Sequence, residues 1–156
     1  MEKKFELTDK FVFNTFGIKL FQIKCTKSFK YAKEGDLGGY VEKDENLDQE
    51  SNAWVYGDAW VYGNARVSGD ARVYGDADIE NDNNHCGFDC FGSCNRHTHA
   101  YLTKDNKVEI TCGCFRGSIE EFEKKVEKTH SGTIYEKQYK AIINVIKIKF
   151  GLTDLI

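Results

Sequence analysis

The chain has 156 residues, with 22 lysines and arginines against 25 acidic residues and a net charge of −3. That balance leaves no basic footprint for duplex nucleic acid, and no apolar run approaches the ~18 residues of a membrane span. The N-terminal MEKKFELTDK lacks the apolar stretch of a signal peptide, so the expected compartment is the cytoplasm. There, six cysteines read as thiols or metal ligands rather than disulfides.

Residues 1–40 read as an N-terminal antiparallel β cap. FELT and KFVFN, a Thr15–Gly17 turn, and IKLFQIKC alternate as strands do. Phe5, Phe11, Phe13, Phe16, Leu20, Phe21 and Ile23 give this sheet its expected apolar face. Gly38-Gly39 supplies a turn ahead of Tyr40 and Val41.

Residues 41–84 hold a six-residue repeat, written out as AWVYGD-AWVYGN-ARVSGD-ARVYGD-ADIEND from Ala53. A hexad period is the mark of a β-helix, and small-then-β-branched spacing predicts a short left-handed parallel β-helix. Val55, Val61, Val67, Val73 and Ile79 are its inward residues, with Ala53, Ala59, Ala65, Ala71 and Ala77 where the wall is tight. Gly57, Gly63, Gly69 and Gly75 are expected at corners of positive φ. Residues eighteen apart should stack, placing Trp54 under Arg72 and Tyr56 under Tyr74. Outward Trp54, Tyr56, Trp60 and Arg72 then form an expected oligomer interface. Three hexads make one coil of about 18 residues, so the clear repeats supply fewer than two coils. So short a solenoid needs capping and self-association, and a homotrimer is the expected assembly.

Residues 85–156 change grammar to a ββαα module. Strands over Ala100–Thr103 and Val108–Cys114 flank the turn Lys104–Lys107. Ser118-Ile119-Glu120-Glu121 is a capping box that opens a helix burying Ile119, Phe122 and Val126, with Gly132 at its end. A second helix buries Tyr139, Ile142, Ile143, Ile146 and Phe150. The lysines of this third, interleaved with glutamates, read as a solvated helix face. The fold class expected overall is mainly β.

Two constellations in the tail carry chemistry. Cys86, Cys90, Cys94, Cys112 and Cys114 are candidate ligands for a structural zinc, with His85, His97 and His99 in the same stretch, since zinc prefers thiolates and imidazoles. The turn Gly92–His99 offers Ser93, Asn95, Arg96, His97 and His99 as ligand-binding residues. Hydroxyl, amide and guanidinium donors after a glycine turn suit a phosphate-like anion. The hexads contain no histidine, which leaves a hexapeptide acyltransferase without its base.

The segments FELTDKFVF…LFQIKC…KEGDLGGYVEKDENL and NAWVYGDAWVYGNARVSGDARVYGDA resemble hexapeptide-repeat proteins of bacteriophages and prophages, often labelled after a transferase-like bacterial protein of the YdcK type. The likeness spans residues 5–80. The tail FGSCNRHTHAY…VEITCGCFRGSIEEFEKKVEKTH…YEKQYKAII resembles a small phage domain that follows such repeats. Ser93, Asn95, Arg96, Cys112, Cys114, Phe115 and Gly117 occupy its GS-x-NR and CGCF-x-G positions, and Cys86, Cys90 and Cys94 stand outside them. The resemblance implies a phage protein in the host cytoplasm. With no catalytic set in view, the expected function is stoichiometric capture of a small anionic ligand, such as a nucleotide signal of host defence, or of a host protein. An acyltransferase-like enzyme and a structural or assembly protein are the alternatives. No cofactor other than the candidate zinc, no membrane and no duplex nucleic acid is expected as a partner.

Overall fold

The computed structural model describes residues 2–152. Strand β1 (Phe5–Phe13) pairs antiparallel with β2 (Lys19–Cys25), which pairs antiparallel with β3 (Leu37–Val41). Asn14 closes the first turn: its side-chain oxygen accepts the Phe16 and Ile18 amides, both at 2.9 Å, an Asx turn. Phe5, Leu20 and Ile23 are buried as expected, but Phe11, Phe13 and Phe16 are exposed. Gly38 and Gly39 form no turn. They lie inside β3, where an added Cβ on Gly38 would stand 2.7 Å from the Val55 carbonyl and on Gly39 2.5 Å from the Val55 side chain. Here glycine permits close approach of a strand to the hexads.

The hexads contribute four two-residue strands: β4 (Trp54–Val55), β5 (Trp60–Val61), β6 (Arg72–Val73) and β7 (Asp78–Ile79). Trp54 pairs in parallel with Arg72 and Trp60 with Asp78, the expected eighteen-residue offset. The offset fails one layer earlier, where Tyr40 pairs with Trp60 and Leu47 bridges Val67. The expectation of a regular left-handed parallel β-helix is therefore corrected. The chain forms mixed sheets: a five-stranded one in the order β1-β2-β3-β5-β7, part antiparallel and part parallel, and a separate β4-β6 pair. With so few hexads, the antiparallel hairpin simply prolongs one parallel ladder sideways, satisfying strand edges that more coils would have satisfied.

The inward residues behave as their spacing requires. Val55, Val61, Val67, Val73 and Ile79 have no exposed surface, and the five repeat alanines have at most 1%. Each valine so buried stabilises the fold by about 1.5–3 kcal/mol. Gly57, Gly63 and Gly69 adopt positive φ, whereas Gly75 does not. Lys4 closes the entrance to the repeat, its ammonium donating to the Ser51 and Ala53 carbonyls, each at 2.6 Å. Burial there pulls its pKa down to about 8.

The tail is larger than the ββαα unit expected. Strands β8 (His85–Phe91), β9 (Arg96–Leu102), β10 (Val108–Cys112) and β11 (Phe115–Ser118) form an antiparallel sheet in the order β11-β10-β9-β8. Helices α1 (Ile119–His130) and α2 (Ile134–Lys149) follow. The capping box is present: Ser118 Oγ accepts the Glu121 amide and Glu121 accepts the Ser118 amide, both at 3.1 Å. One face of the sheet packs Ala100 and Ile110 against Phe122, Val126, Ile142 and Ile146. The other faces the hexads. Tyr101 is fully buried within their core, and its hydroxyl accepts the Tyr74 amide at 3.3 Å. Among the described residues no helix is long and apolar enough to cross a membrane.

Candidate anion-binding cleft

Where the β9-β10 end of the tail sheet meets the hexads, a cleft of about 370 Å³ opens, within the size range of small-ligand sites. Lys30, Tyr31, Asp70 and Arg72 line one wall, and Asn95, Arg96, His97 and the Gly113–Cys114 turn line the other. A hollow of about 420 Å³ lies elsewhere, between Leu102, Ile119 and Phe150, but it lacks this convergence of cations.

The hexad wall is fastened in place. Arg72 donates a guanidinium hydrogen bond to the Gly113 carbonyl and lies 4.8 Å from the centre of the Tyr31 ring. Its own carbonyl accepts the Thr111 hydroxyl at 2.9 Å. Lys30 pairs with Asp70 at 3.1 Å, and the Tyr31 hydroxyl donates to the same carboxylate at 2.9 Å. Partial burial would raise the Asp70 carboxyl, but these two donors outweigh it and hold the group below its ordinary range. Asp70 is thus neutralised from within the protein, and the positive charge of Arg72 and Arg96 is left over.

On the tail wall, the turn between β8 and β9 puts Asn95 at φ +49° and starts β9 at Arg96. Gly92 is fixed by donating its amide to Gln138 at 2.9 Å. Gly113, at φ +58°, has no room for a Cβ because the Arg96 guanidinium lies against it. Two arginines from distant parts of the chain thus flank one glycine.

Of the ligand-binding residues expected from sequence, Asn95, Arg96 and His97 line the cleft; Ser93 is not among its walls. His99 is buried behind them with 4% exposure. It sits between two other imidazoles: His85 Nδ1 lies 3.0 Å from His99 Nε2, and His97 Nε2 lies 2.9 Å from His99 Nδ1. The outer nitrogens reach Asp82 at 2.8 Å and Asp89 at 2.5 Å. Gly87 makes room for this, since a Cβ there would stand 2.6 Å from the His97 ring and 2.8 Å from the His99 ring. Burial, reinforced by the flanking His85 and His97, drives the His99 pKa well below the ordinary imidazole value, so His99 stays neutral.

No protein-family model and no curated protein matches the chain.

The five candidate zinc ligands are scattered. Cys90, Cys94 and Cys114 are exposed, Cys86 is half-buried on β8, and buried Cys112 accepts the Thr98 hydroxyl at 3.3 Å. Among the described residues, no group of three or more His, Cys, Asp or Glu is placed to hold a metal ion. The expected interface residues are also used within the chain. Trp54 does not point outward as read from its hexad position; it is 1% exposed, edge-on to Phe5 and Phe29. Tyr56 stacks on Tyr74 at 4.4 Å, as the eighteen-residue offset requires. Lys104 covers Trp60 at 3.9 Å, and Arg72 turns into the cleft.

Sequence reading missed Lys30, Tyr31, Asp70, Asp82 and Asp89, and took His85 only as a neighbour of the candidate zinc ligands. The alternation of His97 and His99 put both rings on one strand face, but His85 joins them only through the β8-β9 pairing, in which Gly87 lies opposite His99.

Proposed function

We propose that the protein is a non-enzymatic binding protein that captures a small anionic ligand, of the phosphate or nucleotide class, in the cleft between hexads and tail. The observation that carries this reading is the pair Arg72 and Arg96 at one concave site whose single acidic residue, Asp70, is already neutralised. A positive cleft on a chain of net charge −3 concentrates anions locally. Arginine is the side chain best shaped for phosphate oxygens. Tyr31 and Asn95 add an aromatic edge and an amide for ligand parts beyond the phosphate. A nucleotide signal of host defence is the narrower version, supported by the resemblance to phage proteins.

The test is a calorimetric and thermal-shift panel of pyrophosphate, cyclic dinucleotides, cyclic trinucleotides and ADP-ribose. Saturable binding that Arg96→Ala weakens about a hundredfold without loss of folding is the expected result. Silence across the panel overturns the small-anion reading. Turnover of an acyl donor by concentrated protein would move the function to an enzyme.

A further inference from the structure

The Asp82–His85–His99–His97–Asp89 chain contains four hydrogen bonds, and each needs one proton. Neutral imidazoles carry one proton each, so three rings supply three. With both carboxylates accepting, the chain is complete only when it holds one extra proton. That proton cannot rest on His99, which is buried between the other two rings. It resides on His85 or on His97, according to which nitrogen of His99 carries hydrogen. If His99 donates through Nε2 to His85, then His97 must donate from both nitrogens and is the imidazolium. If His99 donates through Nδ1 to His97, the charge lies on His85.

The two ends differ in what they face. His97 lines the cleft, where Lys30, Asp70, Arg72 and Arg96 surround it and Asp89 backs it from β8. His85 faces Asp82, whose carboxylate also accepts the Arg66 amide at 3.1 Å, while Lys149 of α2 donates to the Asp82 carbonyl at 3.2 Å. We infer that the histidine chain is a proton store that sets the charge of the cleft: a bound anion draws the shared proton to His97, and its departure returns the proton toward His85. This rests on the anion-binding reading of the same cleft and adds to it that capture is proton-coupled.

Asp82→Asn and Asp89→Asn separate this from plain electrostatics, because Asn can still accept the ring proton while no longer favouring a charged ring. Each variant removes one negative charge, so simple field effects strengthen anion binding in both. A shared proton gives opposite signs. Asp82→Asn drives the charge to His97 and strengthens pyrophosphate binding at about pH 6. Asp89→Asn drives it to His85 and weakens binding by about tenfold. Shifts in the same direction, or none, overturn the inference. If pyrophosphate binds no variant and no wild-type protein, the anion reading fails, and imidazole nitrogen NMR judges the chain alone. One charged ring that changes end between the two variants upholds the shared proton; a charge that stays at one end, or three neutral rings at about pH 6, overturns it.

Discussion

The two walls of the cleft hold charge in different ways. The hexad wall is fixed: Arg72 is tied to the Gly113 carbonyl, and Lys30 and Tyr31 are tied to Asp70. Its charges do not change across ordinary pH. The tail wall combines one permanent cation, Arg96, with a ring that belongs to the hydrogen-bonded histidine chain, His97. The difference teaches that the parallel β4-β6 pairing places the Arg72 guanidinium while Asp70 ties down Lys30 from the β2-β3 loop, whereas the antiparallel tail sheet brings imidazoles within hydrogen-bond reach of one another. In the proposed capture, the fixed wall provides affinity at all pH values and the histidine chain modulates it.

Removing the permanent cation of the tail wall should have the largest effect. Arg96→Ala loses charge-assisted contacts, and binding of pyrophosphate should weaken by about a hundredfold by calorimetry. Lys30→Ala strikes the fixed wall and also unmasks Asp70 toward the ligand. A loss of about tenfold is expected there, shrinking as salt is raised. Gly87→Ala pushes a methyl into the His97 and His99 rings. It should destabilise the fold by about 1–3 kcal/mol in denaturant titration and flatten the pH dependence of binding, leaving Arg96 and the fixed wall to act alone.

Acid should act on the buried ring of the histidine chain. The folded-state pKa of His99 is depressed, so the unfolded chain binds more protons below the ordinary imidazole value. Its contribution is present above about pH 6.5 and is lost progressively as the pH falls below that, by about 1 kcal/mol over the first unit. Melting temperatures of wild type and His99→Asn should converge on acidification. The smallest effect serves as a control: Ser118→Ala removes the α1 cap and should cost about 1 kcal/mol of stability with unchanged binding.

The interior of the hexads was legible in the sequence because its period is short and its inward residues identical in kind, so Val61 and Ala59 could be placed from spacing alone. The capping box at Ser118 and the buried stripe of α1 were legible for the same local reason. The regular β-helix was not borne out, because whether a ladder continues as another coil or as a hairpin depends on β3 pairing with both β2 and β5, which are separate stretches. Strand β8 was missed although HCGFDCF alternates, with Cys86 and Phe88 packed against the helix core and His85, Gly87 and Asp89 on the other face, because its histidine and cysteines read first as metal ligands. Of the cleft, the sequence offered Asn95, Arg96 and His97, which are contiguous. Lys30, Asp70 and Arg72 could not be joined to them, since the link is made by Thr111 and Gly113 reaching back to the hexads.

The most direct measurement is a calorimetric titration of pyrophosphate into the wild-type chain and into Arg96→Ala at low salt. Saturable binding of one ligand per chain, weakened about a hundredfold in the variant at unchanged melting temperature, is the predicted result. Absence of binding to the wild type, or equal binding to both, would contradict capture of an anion between these two walls.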